Sequence, residues 1–400
     1  MRPPCVCAIT CDEYPADPLV RRTSEAAARE GCEYHVICAS ARGQVRNEEI
    51  NGVQVHRVQA RRVSGKPLPV MLFSWSVLTL LASLQAARLH QARRFDVVHV
   101  HNMPDFLVLA ALIPKLRGAK VILHVQDVSP ELMAVKSSGL WRRFTVALAR
   151  WQERLSTKFA DHVLTVGWPF EELLLKRGVS KSKLSSLLNS ADPNLFPPEK
   201  RTAPFAGEAT AQRPLAMMYH GTIAERSGLD TAILALAKAC TTAPHLRLCI
   251  KGRGEGVPEL KRLAQRLGVE DRVSFLSFSP PDEMADFLEQ GDIGIIPYPC
   301  NGFSELLLPT KAYEFALMRR PMVVSDTPAM RSMFRAQSLM LCEPGDADSF
   351  AAAIVELYRD PQKRRELTRN AEEDYAPYHW EAMAKSYNQL LVLLTAEARR

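Results

Sequence analysis

The strongest constraint in this sequence is a rhythm that occurs twice. Apolar runs of strand character fall at residues 6–10, 35–39, 53–58, 97–101, 120–125 and 162–166, with helix-like stretches such as 19–30 and 106–116 between them. Strand-like and helix-like segments in alternation predict a parallel sheet covered by helices on both faces. At residues 189–200 the rhythm breaks into NSADPNLFPPEK, where Pro, Asn and Asp crowd as in a linker. It then restarts with runs at 215–219, 246–251, 273–276, 293–297, 322–325 and 338–342, separated by helical stretches such as 230–239, 258–267 and 349–357. The expected architecture is α/β, with two Rossmann-like doubly wound domains over 1–192 and 193–378. Ligands of such sheets sit outside the carboxyl ends of the strands, so the cleft between the domains is the expected site.

Composition narrows the functional classes. Hydrophobic residues make up 47% and charged residues 24% of the 400, which excludes a disordered or fibrous chain. The net charge of +7 is too small for a nucleic-acid binder, which needs a dense basic stripe. The nine cysteines are an odd number, without a CxxC pair, so neither a zinc ribbon nor a disulfide framework is indicated. With an N-terminus that lacks the apolar core of a signal peptide, they point to a reducing, cytoplasmic location.

The positive charge is unevenly placed. The first 200 residues hold 27 basic and 18 acidic side chains, so the excess belongs to the first half. Residues 50–95 contain no acid, but do contain Arg57, Arg61, Arg62, Lys66, Arg88, Arg93 and Arg94 around an uncharged apolar stretch, LPVMLFSWSVLTLLASLQAA. Its length permits a membrane span, which Ser74, Ser76, Thr79, Ser83 and Gln85 weaken. A peripheral contact with an anionic membrane surface through 50–95 is the preferred reading. A core helix with solvated flanks is the plain alternative.

Four clusters carry chemistry. In DVVHVHNMPDF a strand ends at His101, and His99 and His101 share a face; a metal site would need a third ligand, which spacing does not supply. In KVILHVQDVSPE a strand runs into Gln126 and Asp127, with His124 on the face of Gln126. In MMYHGTIAERSGLD a strand ends at Tyr219, Gly221 makes a tight turn, and Arg226 lies beside a helix start near Gly228, while Lys251 and Arg253 follow in LCIKGRGEG. Backbone amides with a guanidinium suit a diphosphate. In PCNGFSELLLPTKAYEFAL a helix begins around Pro309, so that Lys311 can face phosphate and Glu314 can accept a ribose diol. The plain alternatives are a loop turn for the glycines and a surface ion pair for Lys311 and Glu314. DAD at 346–348 reads as a helix cap and first-turn acid rather than a metal site.

Taken in order, these segments resemble retaining glycosyltransferases of family 4, which have the GT-B fold, over nearly the whole chain. YPADPLVRRTSEAAAREG, DVVHVHNMPD, LLNSADPNLF, GTIAERSGLD, IKGRGEG, SFLSFSPPDEMADFL and LPTKAYEFAL are similar to the landmarks of that family, and YHWEAMAKSY resembles its last helix. The resemblance implies that residues 379–400 pack back on the first domain. It implies a nucleotide-diphospho-sugar donor in the second domain, an acceptor (a glycan, a lipid-linked saccharide or a metabolite) in the first, and no bound metal or other cofactor. Arg226 matches the diphosphate arginine, and Gly221 and Thr222 the loop beside it. Lys311 and Glu314 match a Pro-x-Lys-x-x-Glu variant of the paired-glutamate motif.

The sequence also departs from that family. The paired glutamates usually stand eight apart; here Glu305 stands nine before Glu314, and Leu306 occupies the usual place. Sugar contacts would then come from amides near Ser304, Glu305 and Leu306, or from Glu305 itself. The usual His-Asp reads Gln126-Asp127, with His124 as a partial substitute, and Ser227 replaces a lysine for which Lys251 could stand in. A sugar transferase for a bacterial-type cell-surface glycan is therefore the leading expectation. A nucleotide-sugar 2-epimerase of the same fold and a weakened nucleotide-sugar-binding protein are the alternatives.

Overall fold

The computed structural model describes residues 2–41, 43–60, 68–137, 139–277 and 281–400. Arg61, Arg62 and Lys66 of the basic segment, and part of SFLSFSPPDEMADFL, lie outside the described residues. The chain divides into two compact units, Met1–Asn189 with Glu381–Arg400, and Ser190–Trp380.

The first unit is built on β1 (Cys5–Glu13), β2 (Glu33–Ala39), β3 (Asn47–Ile50), β4 (Val53–Val58), β5 (Val97–His101), β6 (Lys120–Val125), β7 (His162–Thr165) and β8 (Leu184–Ser186). They form one sheet in the order β3-β4-β2-β1-β5-β6-β7-β8, parallel except for the β3–β4 hairpin. Its central strands are near-continuous apolar runs because helices cover both faces; Val6, Ile9, Val36, Ile37, Val98, Val100, Val121 and Leu123 are buried. The helices are α1 (Pro18–Arg29), α2 (Leu68–Arg93), α3 (Leu112–Leu116), α4 (Ser129–Lys136), α5 (Gly139–Phe159) and α6 (Trp168–Lys176). Asp17 caps α1, accepting from the amides of Leu19 (2.8 Å) and Val20 (3.0 Å), with Pro18 at the first helical position. The helix expected over 106–116 is a 3-10 segment, Asp105–Ala111, followed by the short α3. Pro114 cannot donate to the carbonyl of Ala110, so α-helical bonding cannot extend back through that turn.

The second unit contains β9 (Leu215–Thr222), β10 (Leu246–Arg253), β11 (Val273–Leu276), β12 (Ile293–Ile296), β13 (Met322–Ser325) and β14 (Met340–Cys342), all parallel, in the order β11-β10-β9-β12-β13-β14. Around it lie α7 (Leu229–Ala239), α8 (Val257–Arg266), α9 (Met284–Glu289), α10 (Thr310–Leu317), α11 (Pro328–Met333), α12 (Ala347–Arg359) and α13 (Pro361–Tyr375). One core joins both faces through Leu215, Met217, Leu229, Ile233, Ile250, Ile295 and Phe350. The last helix, α14 (Trp380–Ala398), packs on the first unit, where Tyr387 Oη bonds His99 Nδ1 (2.7 Å) and Tyr34 Oη (2.8 Å).

The strand order reverses at β1/β5 in one sheet and at β9/β12 in the other. Adjacent strands at such a switch point send their chains to opposite sides and leave a crevice at their carboxyl ends. In the second sheet β9 and β12 pair only at Met217–Ile293 and Met218–Gly294, so the last four residues of β9 face an opening.

Candidate active site

The β9 strand does not stop at Tyr219, as the sequence suggests, but runs through Gly221 to Thr222, in register with β10 to Arg253. Glycines make this extension possible. A Cβ on Gly252 would stand 1.9 Å from the Gly221 carbonyl oxygen, and one on Gly254 the same distance from that of Ile223. These two glycines therefore serve close backbone approach. Gly228, in the left-handed region at φ 62°, seats α7 against the Pro297 carbonyl.

At the switch point, α10 brings two of the expected residues together. Lys311 is buried, its Nζ 3.9 Å from the centre of the Tyr219 ring and 5.2 Å from that of Tyr298, one residue from each side of the crevice. Burial alone would push its pKa down; the two tyrosines outweigh that and move it up, so the amine stays an ammonium. Among the described residues it faces no carboxylate. Gly221, at φ 119°, leaves its Nζ room: a Cβ there would lie 3.5 Å away. Glu314, three residues further along α10, has its Oε2 3.0 Å from His220 Nε2, at ion-pair distance but out of line for a hydrogen bond. Neither α7 nor α10 has a side-chain cap, and both helices begin at this end of the sheet.

Arg226 lies in a 3-10 turn, Glu225–Ser227, exposed and without an ion-pair partner among the described residues. Ser227, in the place of a lysine, is buried and braces the loop: its Oγ donates to the Thr222 carbonyl (2.7 Å) and accepts from the Ala224 amide (3.3 Å). Lys251 pairs with His220 in the sheet register, but its ammonium leans toward Glu283 (3.9 Å) and the Phe287 ring (5.1 Å). The loop before α10 is internally satisfied. The amides of Ser304, Glu305, Leu306 and Leu307 donate to Asn301 Oδ1 (2.9 Å), Asn301 O (3.1 Å), Phe303 O (3.1 Å) and Ser304 O (3.2 Å). Glu305 accepts from the Cys300 thiol at 2.9 Å.

In the first unit, the sequence did not single out the residue that organises the end of β6. Asn102 Oδ1 accepts from the amides of Gln126 (2.7 Å) and Asp127 (3.3 Å), while its Nδ2 donates to Asp105 Oδ1 and to the Asp127 carbonyl (2.7 Å each). Gln126 Nε2 donates to His101 Nδ1 at 2.9 Å, and its side chain also bonds Asp17. Burial moves the Asp17 carboxyl up, against the amides of Val20 and Leu19, Arg22 and Gln126. Gln126 and Asp127 are half-buried. His124 is fully buried, so it stands in the core behind Gln126.

His124 also supplies the third imidazole that spacing did not show. The β5–β6 register sets His101 opposite His124, and ligand atoms of His99, His101 and His124 lie within 4.8 Å of one another. His99 Nε2 and His124 Nδ1 share a hydrogen bond of 3.2 Å. Burial holds all three below the ordinary histidine range, His124 at about 3, so they are neutral. At Asp346 the cap reading holds: its carboxylate accepts from the amides of Asp348 and Ser349.

Comparison with known proteins decides the family. A glycosyl transferase 4-like domain matches residues 17–189, and the glycosyl transferases group 1 domain matches 201–374. The chain is a GT-B glycosyltransferase of the family 4 type. It is 25% identical to an alpha-D-kanosaminyltransferase of Streptomyces kanamyceticus, over 88% of this chain and 92% of that protein. It is 27% identical to a D-inositol 3-phosphate glycosyltransferase of Acidothermus cellulolyticus, over 82% and 74%. Among solved structures, this glycosyltransferase resembles sucrose-phosphate synthase from Thermosynechococcus elongatus with a TM-score of 0.77, at 20% identity over 98% and 99% of the chains. It resembles Anabaena HepE in complex with UDP-glucose with a TM-score of 0.71, at 15% identity over 97% and 99%.

Proposed function

We propose that this glycosyltransferase moves a sugar, with retention and without a metal ion, from a nucleotide-diphospho-sugar to a glycan, lipid-linked or metabolite acceptor. The observation that carries the donor half is Lys311, a buried ammonium with no carboxylate facing it among the described residues, at the β9/β12 switch point. A charge so placed calls for an anion from outside the chain. Arg226 and the N-terminal ends of α7 and α10 supply further positive potential for the diphosphate, and Glu314 accepts from the ribose hydroxyls. As the bond from sugar to phosphate breaks, negative charge grows on the departing diphosphate, and these fixed groups stabilise it there. The acceptor hydroxyl attacks from the same face, and its proton passes to the departing phosphate oxygen. The acceptor belongs to the first unit, where Gln126 and Asp127 are presented by Asn102. Cytoplasmic placement, at the inner face of a membrane through residues 50–95, completes the proposal.

The test is a thermal-shift screen of nucleoside diphosphates and nucleotide-sugars, followed by transfer assays with and without chelator. A nucleotide-dependent rise in Tm that Glu314→Ala removes supports the donor site. Turnover that a chelator abolishes and a divalent ion restores overturns metal independence. Binding without transfer or hydrolysis on any acceptor would favour a weakened binding protein, the reading to which Gln126 gives its only support.

A further inference from the structure

The helix α5 is inside out. Its buried residues are Thr145, Ala149, Glu153, Ser156 and Thr157, small or polar. Its large apolar side chains face away from the protein: Trp141 (74% exposed), Phe144 (60%), Leu148 (38%), Trp151 (62%) and Leu155 (48%). Their spacing of three, four, three and four residues draws one stripe along a helix. Trp141 and Phe144 meet edge to face at 6.1 Å, out in the open. An ordinary surface helix does the reverse, so hydrophobic burial within the domain does not explain the stripe.

Charge indicates what covers it. Arg143, Arg150, Arg154 and Lys158 recur along the edge of the stripe, all exposed and without an ion pair among the described residues. The one acid of the helix, Glu153, faces inward to Arg177 at 2.7 Å. A second copy docked stripe to stripe would bring like charges together. An anionic bilayer would satisfy both the cations and the tryptophans, which favour the zone between acyl chains and headgroups. Leu109, Leu112, Ile113 and Leu116 on the 3-10 segment and α3, and Phe73, Leu80 and Leu84 on α2, extend the exposed apolar surface. The 3-10 segment packs against both α2 and α5.

We propose that the outward face of α5 is a docking surface for an anionic lipid bilayer, with Trp141 and Trp151 inserted and the basic edge on the headgroups. The α5 stripe lies outside residues 50–95, while the exposed α2 side chains lie within them, and the stripe is independent of the donor site. The full chain is to be floated with phosphatidylcholine vesicles with and without phosphatidylglycerol. Binding is expected only with the anionic lipid, released by salt, with tryptophan emission quenched by brominated acyl chains. Trp141→Ala with Trp151→Ala should lower partitioning about tenfold or more, and each of Arg150→Gln and Arg154→Gln about fivefold. Both tryptophans are exposed, so Tm and nucleotide-induced stabilisation should not change. Phe73→Ser with Leu80→Ser tests the α2 contact separately. Vesicle binding unaffected by the α5 changes overturns the proposal, as does absence of binding. Self-association that the tryptophan pair abolishes would assign the stripe to a second copy instead and overturn it too.

Discussion

Glu314 Oε2 stands 3.0 Å from His220 Nε2, which ties the middle of α10 to the end of β9. The two residues belong to elements on opposite sides of the second sheet's switch point, so the carboxylate lies against the end of β9. If this carboxylate receives the ribose diol, Glu314→Gln should weaken nucleotide-sugar binding by about tenfold, the share of one charge-assisted hydrogen bond. Glu314→Ala should lose more. His220→Ala should weaken the same binding by a smaller factor, because it frees the carboxylate without removing it. Titration calorimetry of the three variants checks the ranking; equal affinities would sink the assignment.

Lys311 offers a prediction of opposite signs. Its ammonium is buried and faces no carboxylate among the described residues, so the free protein carries a desolvation cost that a bound diphosphate would offset. Lys311→Met should leave the Tm of the free protein unchanged or higher. The same change should abolish the stabilisation given by a nucleoside diphosphate. Gly221→Val, which crowds Nζ from the other side, should reduce that stabilisation as well. A Lys311→Met protein that is destabilised alone yet still responds fully to nucleotide would show that the lysine is structural.

Much of this architecture was legible in the sequence. Val53–Val58, Val97–His101, Lys120–Val125, Val273–Leu276 and Met322–Ser325 are strands over the residues expected, because the last four are mainly apolar runs and the first alternates valine with polar residues, between polar or glycine-containing segments. What escaped has physical causes. NEEI of β3 is polar and lies at the sheet edge, so no hydrophobic period marks it, although Asn51-Gly52, both at positive φ, is a hairpin-turn signal. His220 escaped because Gly221 reads as a turn, whereas here the strand runs on through it, with Gly252 permitting the close approach of β10. The three imidazoles meet only through the β5–β6 register, which is a tertiary fact. Asn102 orders Gln126 and Asp127 across adjacent strands, and local spacing carries no trace of that.

Gln126 should separate acceptor chemistry from donor binding. Its amide is held by His101 and Asp17, and its backbone by Asn102. If the first unit handles the acceptor, Gln126→Ala should lower kcat for transfer by at least about tenfold, with donor affinity unchanged. Asn102→Ala should act in the same direction by loosening the Gln126-Asp127 backbone. Gln126→His is the informative gain-of-function change: a rise in turnover would mean that the glutamine limits the reaction. Loss of donor binding in Gln126→Ala would contradict the division of labour between the units.

Acid should unfold the first unit early, and the sign follows from its neutral histidines. His99, His101 and His124 are held below the ordinary range by burial, His124 at about 3, and His56 at about 4 by burial and its histidine and arginine neighbours. Among the described residues, the groups around the central three are the hydroxyl of Tyr387 and the amide of Gln126, with no carboxylate to stabilise an imidazolium. In the unfolded chain each ring takes up a proton near about pH 6.5. Above that pH their contribution is fully present; it drains as pH falls toward the depressed folded values. Each ring removes up to about 1.4 kcal/mol per pH unit in that window. Glu153, raised to about 7 by burial, opposes, as do Asp17 and Asp105, which burial also moves up, since their protonated forms suit the fold. Urea midpoints at about pH 7 and about pH 5.5 should therefore differ steeply, and His124→Gln should flatten the slope by one ring's share. Equal midpoints at the two values would mean that these imidazoles are already protonated or solvated in the native protein.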